Sequence, residues 1–137
     1  MVGGALVPVE LEMSLRILLA AVLGGIIGYE RRRADKPVGL RTLVLISTGA
    51  ALFTVASVYA FGDGDPARVA AGVVAGIGFL GAGAILRRQG GGVEGLTTAS
   101  AIWVVAAIGL AAGVGLYLIA TVTTVIVMLV LLLLRKD

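Results

Sequence analysis

The sequence predicts an all-α integral membrane protein, a bundle of five transmembrane helices that forms one domain over residues 1–137. Three observations predict this class: an apolar composition, a series of helix-length apolar stretches, and basic residues concentrated on one side of them. Hydrophobic residues make up 59% of the chain and charged residues 14%, whereas soluble domains average about 45–50% and about 25%. A soluble domain of this size buries only about two-thirds of its surface. This amount of apolar surface therefore requires lipid as its solvent.

Five apolar stretches have the length that a bilayer core about 30 Å thick requires, which is about 20 residues per helix. They cover residues 13–29, 38–61, 67–86, 96–112 and 114–134. The first follows a segment without the basic region of a cleavable signal peptide, so we expect it to be retained. The second follows a basic loop, and the third follows Asp65 and Pro66, an N-cap and a first-position proline.

The fourth stretch follows the glycine-rich turn RRQGGGVEGLTT, and it continues into the fifth without a polar interruption. A single helix of that length would overshoot the membrane, so we divide the run at AAGVG, residues 111–115. The sequence predicts no soluble C-terminal domain after the fifth helix.

Lysine and arginine are distributed unequally between the two sides of this layout. Nine lie on one side (Arg31, Arg32, Arg33, Lys36, Arg41, Arg87, Arg88, Arg135 and Lys136) and two on the other (Arg16 and Arg68). Short basic loops stay cytoplasmic, which predicts an external N-terminus and an internal C-terminus. The basic loop favours anionic lipid headgroups, with Arg31 to Arg33 as a topology and lipid anchor. We expect the lipid bilayer as a partner and no nucleic acid.

The stretch AGIGFLGAG, residues 75–83, contains the spacing G-x-G-x-x-G. A dinucleotide site needs a preceding strand and a water-accessible helix start, and the apolar flanks here exclude both. Glycines also permit helices to approach closely in lipid, and we assign this role to Gly24, Gly28, Gly72, Gly76, Gly78, Gly81, Gly83, Gly109 and Gly113. The third helix is then predicted to be central and packed from both sides. A helix broken near a substrate is the alternative.

Three stretches of the sequence are GGIIGYERRRADKPVGLRTLVLISTGAALFT, DPARVAAGVVAGIGFLGAGAILR and VEGLTTASAIWVVAAIGLAAGVGLY. Together they resemble the MgtC/SapB family of bacterial inner-membrane proteins. The resemblance covers residues 13 to 134. It implies a multi-pass inner-membrane protein linked to magnesium limitation and, in some pathogens, to survival inside host cells. Family members were named as magnesium transporters, and regulation of other membrane proteins, including ion-motive ATPases, is the competing view. Many members carry a soluble C-terminal domain, which we do not expect in this protein.

A polar cluster is expected at the cytoplasmic ends of the helices. Glu30 ends the first helix and Arg41 opens the second, and we expect these two side chains to pair. The resemblance places the family's polar signature at Glu30, Arg41 and Thr42. The cluster is completed by Thr97 and Thr98. Their hydroxyls, like that of Ser100, are expected to satisfy unpaired backbone N–H groups at the helix start or to line a polar cavity. A headgroup-level salt bridge and a cation site or gate are both compatible with the pair.

A charged cap is expected at the opposite side, formed by Asp63, Asp65 and Arg68. Helix capping with a local ion pair explains these residues, and a magnesium-sensing or entry site is the alternative because magnesium prefers oxygen ligands. Trp103 and Tyr117 are interpreted as packing or interface residues.

The chain contains no cysteine and no histidine. This composition excludes thiol nucleophiles, disulfides, structural zinc sites and acid–base chemistry by imidazole. No ionisable residue lies in the middle third of a predicted helix, which argues against an ion-coupled pump. We expect no enzyme and no cofactor other than, at most, magnesium. The predicted function is regulation of other membrane proteins in magnesium or membrane-energy homeostasis by a homo-oligomer. A small oligomeric magnesium or cation transporter or channel is the alternative.

Overall fold

The computed structural model describes residues 8–61, 64–87 and 89–135. Within these ranges the chain forms five helices: α1 (Val9–Arg33), α2 (Leu40–Tyr59), α3 (Pro66–Gly83), α4 (Leu96–Gly113) and α5 (Tyr117–Leu133). A short antiparallel hairpin of β1 (Leu86–Arg87) and β2 (Val93–Glu94) connects α3 to α4. Helices α1 to α4 are long and apolar enough to cross a membrane, and α5 is a shorter apolar helix. The predicted all-α five-helix bundle is confirmed, while its direction across the membrane stays a prediction.

Two helix boundaries follow local sequence signals. The carboxylate of Asp65 accepts a hydrogen bond from the backbone N–H of Ala67 at 3.0 Å and so caps α3. Gly115 has a φ of 92°, and the N–H groups of Gly115 and Leu116 donate to the carbonyls of Ala112 and Ala111. This pair of bonds is a Schellman motif, which ends α4 within the AAGVG segment.

The C-terminal end of α3 differs from the prediction, because the helix stops at Gly83 and residues 86–87 belong to β1. The hairpin brings the chain back to the start of α4, where Gly95 has a φ of 93°. A Cβ atom at Gly95 would collide with the carbonyl of Ala84. The reversal therefore depends on a glycine at this position.

The centre of the bundle is the packing of α1, α2 and α4 through small residues. Ser47 of α2 is fully buried between Gly24 of α1 and Gly109 of α4. An added Cβ would lie 2.8 Å from the Ser47 Cβ at Gly24 and 2.9 Å from the Ser47 Cα at Gly109. Backbones therefore approach closely on both sides of α2, as small residues permit in lipid.

Gly24 and Gly28 of α1 form a G-x-x-x-G pair, as do Gly109 and Gly113 of α4. The second glycine of each pair continues the contact with α2 that the first one makes. A Cβ at Gly28 would lie 2.8 Å from the Leu40 Cα, and one at Gly113 would lie 2.8 Å from the Thr54 Cβ. Large side chains fill the space between these contacts, and Ile27, Leu43, Val105 and Ile108 are at most 1% exposed. The centre of the bundle is therefore formed by α1, α2 and α4 together, and α4 has the largest buried share among the four candidate membrane spans.

The prediction that α3 is the central helix is wrong. In its apolar window 11% of the residues are buried, against 50% in α4, and α3 packs mainly against α4. A Cβ at Gly72, Gly76, Gly78 or Gly83 would meet nothing within 4 Å, and one at Gly81 would meet only Ala99. The helix is also continuous from Pro66 to Gly83, so the broken-helix alternative is wrong as well.

Candidate functional site: charged clusters at the two ends of the first helix

Glu30 lies near the C-terminal end of α1 with only 3% of its surface exposed. Its Oε1 accepts a hydrogen bond from Arg31 Nε at 3.0 Å, and its Oε2 accepts one from Arg135 Nη2 at 3.0 Å. Arg31 is also buried, whereas the Arg135 side chain is 52% exposed. We call these three residues the Glu30 cluster. It joins the end of α1 to the residues that follow α5.

One donor atom of the Glu30 cluster is buried without a hydrogen-bond partner among the described residues. This atom is Arg31 Nη1. A buried polar group without a partner is costly, so this N–H group is available to an acceptor from outside the described chain.

The predicted pair between Glu30 and Arg41 is not formed. Arg41 is exposed and makes no ion pair with any residue in the described ranges. Leu43, two positions further along α2, is fully buried. Residues two apart on a helix point about 200° away from each other, so burial of Leu43 directs Arg41 away from the bundle and from Glu30.

The other members of the predicted cytoplasmic cluster are not joined to Glu30 by hydrogen bonds. Thr42 and Thr97 are exposed, whereas Thr98 is buried. The hydroxyl of Ser100 donates to the carbonyl of Leu96 at 2.8 Å, whereas a hydroxyl that accepts from an unpaired helix N–H group was expected. Within the described ranges, no hydrogen bond or ion pair connects Glu30, Arg41, Thr42, Thr97 and Thr98 with one another.

A second charged cluster lies at the opposite end of α1, around Arg16, which is 4% exposed. Arg16 Nη2 donates to Glu12 Oε2 at 2.6 Å, and Arg16 Nε donates to the Tyr117 hydroxyl oxygen at 3.1 Å. The Tyr117 hydroxyl in turn donates to Glu12 Oε2 at 2.9 Å. The guanidinium also lies 5.4 Å from the centre of the Tyr59 ring, a cation–π distance. We call Glu12, Arg16, Tyr59 and Tyr117 the Arg16 cluster.

The Arg16 cluster also completes the end of α4. Arg16 Nη1 donates to the carbonyl of Gly113 at 3.2 Å, one of the last carbonyls of α4, which have no partner within their own helix. One guanidinium therefore connects α1 with α2, α4 and α5. Glu12 and Arg16 are four residues apart, a spacing that pairs charges on a helix, and an ionisable residue in an apolar span is a functional hypothesis in itself. Those two signals were present in the sequence.

The predicted outer charged cap is found only in part. Asp65 caps α3, and its carbonyl accepts from the Arg68 N–H at 3.1 Å, but the two side chains form no ion pair. Asp63 lies outside the described residues. Within the described ranges, no three acidic side chains come together as a metal-binding group.

The fold and its two clusters define a multi-pass helical membrane protein with its charged groups at the ends of the bundle. The chain belongs to the MgtC family, because residues 17–136 match the sequence model of that family. The resemblance inferred from the three sequence stretches is thereby confirmed.

Relatives from several bacteria share much of the sequence. "Putative magnesium transporter YhiD" of Escherichia coli (strain K12) is 48% identical over 128 residues, covering 88% of this chain and 59% of that protein. "Protein MgtC" of Brucella abortus (strain 2308) is 49% identical over 116 residues, covering 85% and 48%. "Protein SrpB" of Synechococcus elongatus is 42% identical over 134 residues, covering 88% and 74%. The chain thus spans 48–59% of the length of the first two relatives. No solved structure matches the chain.

Proposed function

We propose that this chain is a non-enzymatic protein of the bacterial inner membrane that serves magnesium homeostasis by contacting and regulating other membrane proteins. The link to magnesium is supported by the name of the Escherichia coli relative, "Putative magnesium transporter YhiD". The regulatory role is supported by one structural observation, the closed packing between the Arg16 cluster and the Glu30 cluster.

The two clusters are separated along α1 by fourteen residues, which is roughly 21 Å at 1.5 Å per residue. Between them, α2 contacts α1 and α4 backbone to backbone at Gly24 and Gly109. The remaining space is filled by apolar side chains such as Leu43 and Val105, which are fully buried. A divalent cation crosses hydrocarbon only along polar groups or backbone carbonyls that replace its water. Ser47, Thr54 and Thr124 are also buried in this interior, but their hydroxyls donate to backbone carbonyls of their own helices. Among the described residues, no row of acidic side chains joins the two clusters, which favours a protein that acts by contact.

A cation transporter is the second candidate, favoured by the name of the same relative. In a chain with a closed interior, the path would have to lie between copies. Glu30 would be its entrance, because it is the buried carboxylate at one end of the bundle, and a passing cation would have to displace Arg31 or Arg135 from it.

Magnesium flux through the purified protein separates these two functions. We expect liposomes that contain the protein, a magnesium-sensitive dye and an imposed membrane potential to show the same magnesium entry as protein-free liposomes. Addition of a magnesium ionophore at the end of the measurement verifies that the dye responds. Protein-dependent entry that Glu30→Gln abolishes would contradict the proposal and support the transporter. Glu10→Gln, an exposed acid on the same helix, is the matched control.

A regulator must also bind something in its native membrane. We expect cross-linking there to capture one or more membrane proteins, and Glu30→Gln to change the captured set while Glu10→Gln leaves it unchanged. Capture of the chain by itself in both variants would contradict regulation through contacts.

A further inference from the structure

An open groove runs between α2 and α3, with Ala106 of α4 at its floor and a volume of about 790 Å³. We call it the α2–α3 groove. Its walls are apolar and lined by small residues, among them Gly49, Gly72 and Gly76. A Cβ at any of these three glycines would meet nothing within 4 Å. These glycines therefore leave space along the groove instead of packing against the rest of the chain.

The length of the groove indicates what can fill it. Its lining extends from Thr42 to Phe53 on α2 and from Val69 to Leu80 on α3, which is roughly 17 Å on each helix at 1.5 Å per residue. A spanning helix needs contact over about 30 Å of hydrocarbon, and one leaflet contributes about half of that thickness. The groove matches the depth of one leaflet, so it fits an acyl chain better than a transmembrane helix.

The charge at one end of the groove indicates which class of lipid can bind there. Thr42 lines that end, and its neighbour Arg41 is exposed and makes no ion pair in the described part of the chain. The first turn of α2 lies here as well, and its N-cap residue Gly39 provides no side-chain hydrogen bond to it. A guanidinium, a hydroxyl and a positive helix end complement a phosphate, and basic residues beside a membrane attract anionic lipids.

We propose that the α2–α3 groove binds one acyl chain of an anionic phospholipid whose phosphate is held by Arg41 and Thr42. The site is independent of whether the chain regulates a partner or conducts an ion. It gives a role to two features, the open glycines Gly72 and Gly76 of α3 and the guanidinium of Arg41, which has no ion-pair partner among the described residues.

Native mass spectrometry of the delipidated full chain, with either phosphatidylglycerol or phosphatidylcholine added back, tests the proposal. The wild-type protein is expected to retain phosphatidylglycerol at least about tenfold more tightly than phosphatidylcholine, a difference of about 1.4 kcal/mol. Arg41→Gln should remove this preference. Arg68→Gln, an exposed arginine at the start of α3, is the matched charge control and should preserve it.

Gly76→Leu should fill the groove and reduce binding of both lipids. Gly78→Leu is the matched control, because Gly78 is equally open but does not line the groove. Equal retention of the two lipids by the wild-type protein, or equal binding by the two leucine variants, would overturn the proposal. A dimer that Gly76→Leu dissociates and Gly78→Leu preserves would also overturn it, because a second copy would then occupy the groove.

Discussion

Replacing Glu12 by glutamine is expected to lower the free energy of unfolding measurably, because the Arg16 guanidinium loses the carboxylate that is paired with it. The Arg16 side chain is 5% exposed, compared with 17% for Glu12. In the wild-type protein the carboxylate is 2.6 Å from Arg16 Nη2. Equilibrium unfolding in detergent micelles measures the change.

Two further variants separate the charge from the hydrogen bonds. Tyr117→Phe removes the hydroxyl and keeps the ion pair, so it should cost only about 1 kcal/mol. The double variant Glu12→Gln with Arg16→Met removes both charges and should recover most of the loss, because well-packed apolar residues can replace a buried ion pair. A Glu12→Gln variant as stable as the wild-type protein would show that the Arg16 cluster does not hold the helices together.

Replacing Gly109 by alanine is expected to lower the free energy of unfolding by about 1–3 kcal/mol, the usual cost of overpacking a tightly packed core. The added Cβ would lie 2.9 Å from the Ser47 Cα and collide with the Ser47 carbonyl. Backbone atoms cannot move aside as a flexible side chain can, so α2 and α4 must separate. The same unfolding measurement detects the effect.

Gly76→Ala is the matched control for this substitution. It introduces the same methyl group into a helix, but at a position where nothing lies within 4 Å. Alanine favours a helix over glycine by roughly 1 kcal/mol, so Gly76→Ala should be neutral or stabilising. Equal destabilisation by the two substitutions would contradict the assignment of α1, α2 and α4, and not α3, to the centre of the bundle.

The contrast between Gly109 and Gly76 also shows how far the sequence could predict this fold. Apolar length predicted five helices, and AAGVG predicted the break between α4 and α5, because both signals are local. A G-x-x-x-G spacing predicts that a neighbour can approach, but it does not identify the neighbour. The pairs at Gly24 and Gly109 meet Ser47 of α2, whereas the pair at Gly72 and Gly76 borders an open groove.

Prediction of the candidate sites was limited in the same way, because it depends on which face of its helix each residue occupies. Glu30 was predicted as a site residue from its place at a helix end. Its partner Arg135 was not predicted, because that residue is 105 positions away in the chain. Arg41 is closer in sequence and points outward, since burial of Leu43 fixes the orientation of α2. The pairing of Glu12 with Arg16 could be predicted from their spacing. The hydrogen bonds of both residues to Tyr117 could not, because they require the packing of α5 on α1.

Cysteine accessibility tests the closed interior most directly, and the chain suits the measurement because it contains no cysteine. Single substitutions Leu43→Cys, Val105→Cys and Ile108→Cys place a thiol at positions at most 1% exposed, and Lys36→Cys places one at an exposed position. A solvated thiolate is the nucleophile that attacks a methanethiosulfonate, forming a disulfide and displacing methanesulfinate. With a membrane-impermeant methanethiosulfonate reagent applied from each side, we predict labelling at position 36 alone. Labelling at 43, 105 and 108 would reveal a water-filled path between the two clusters and would contradict the account.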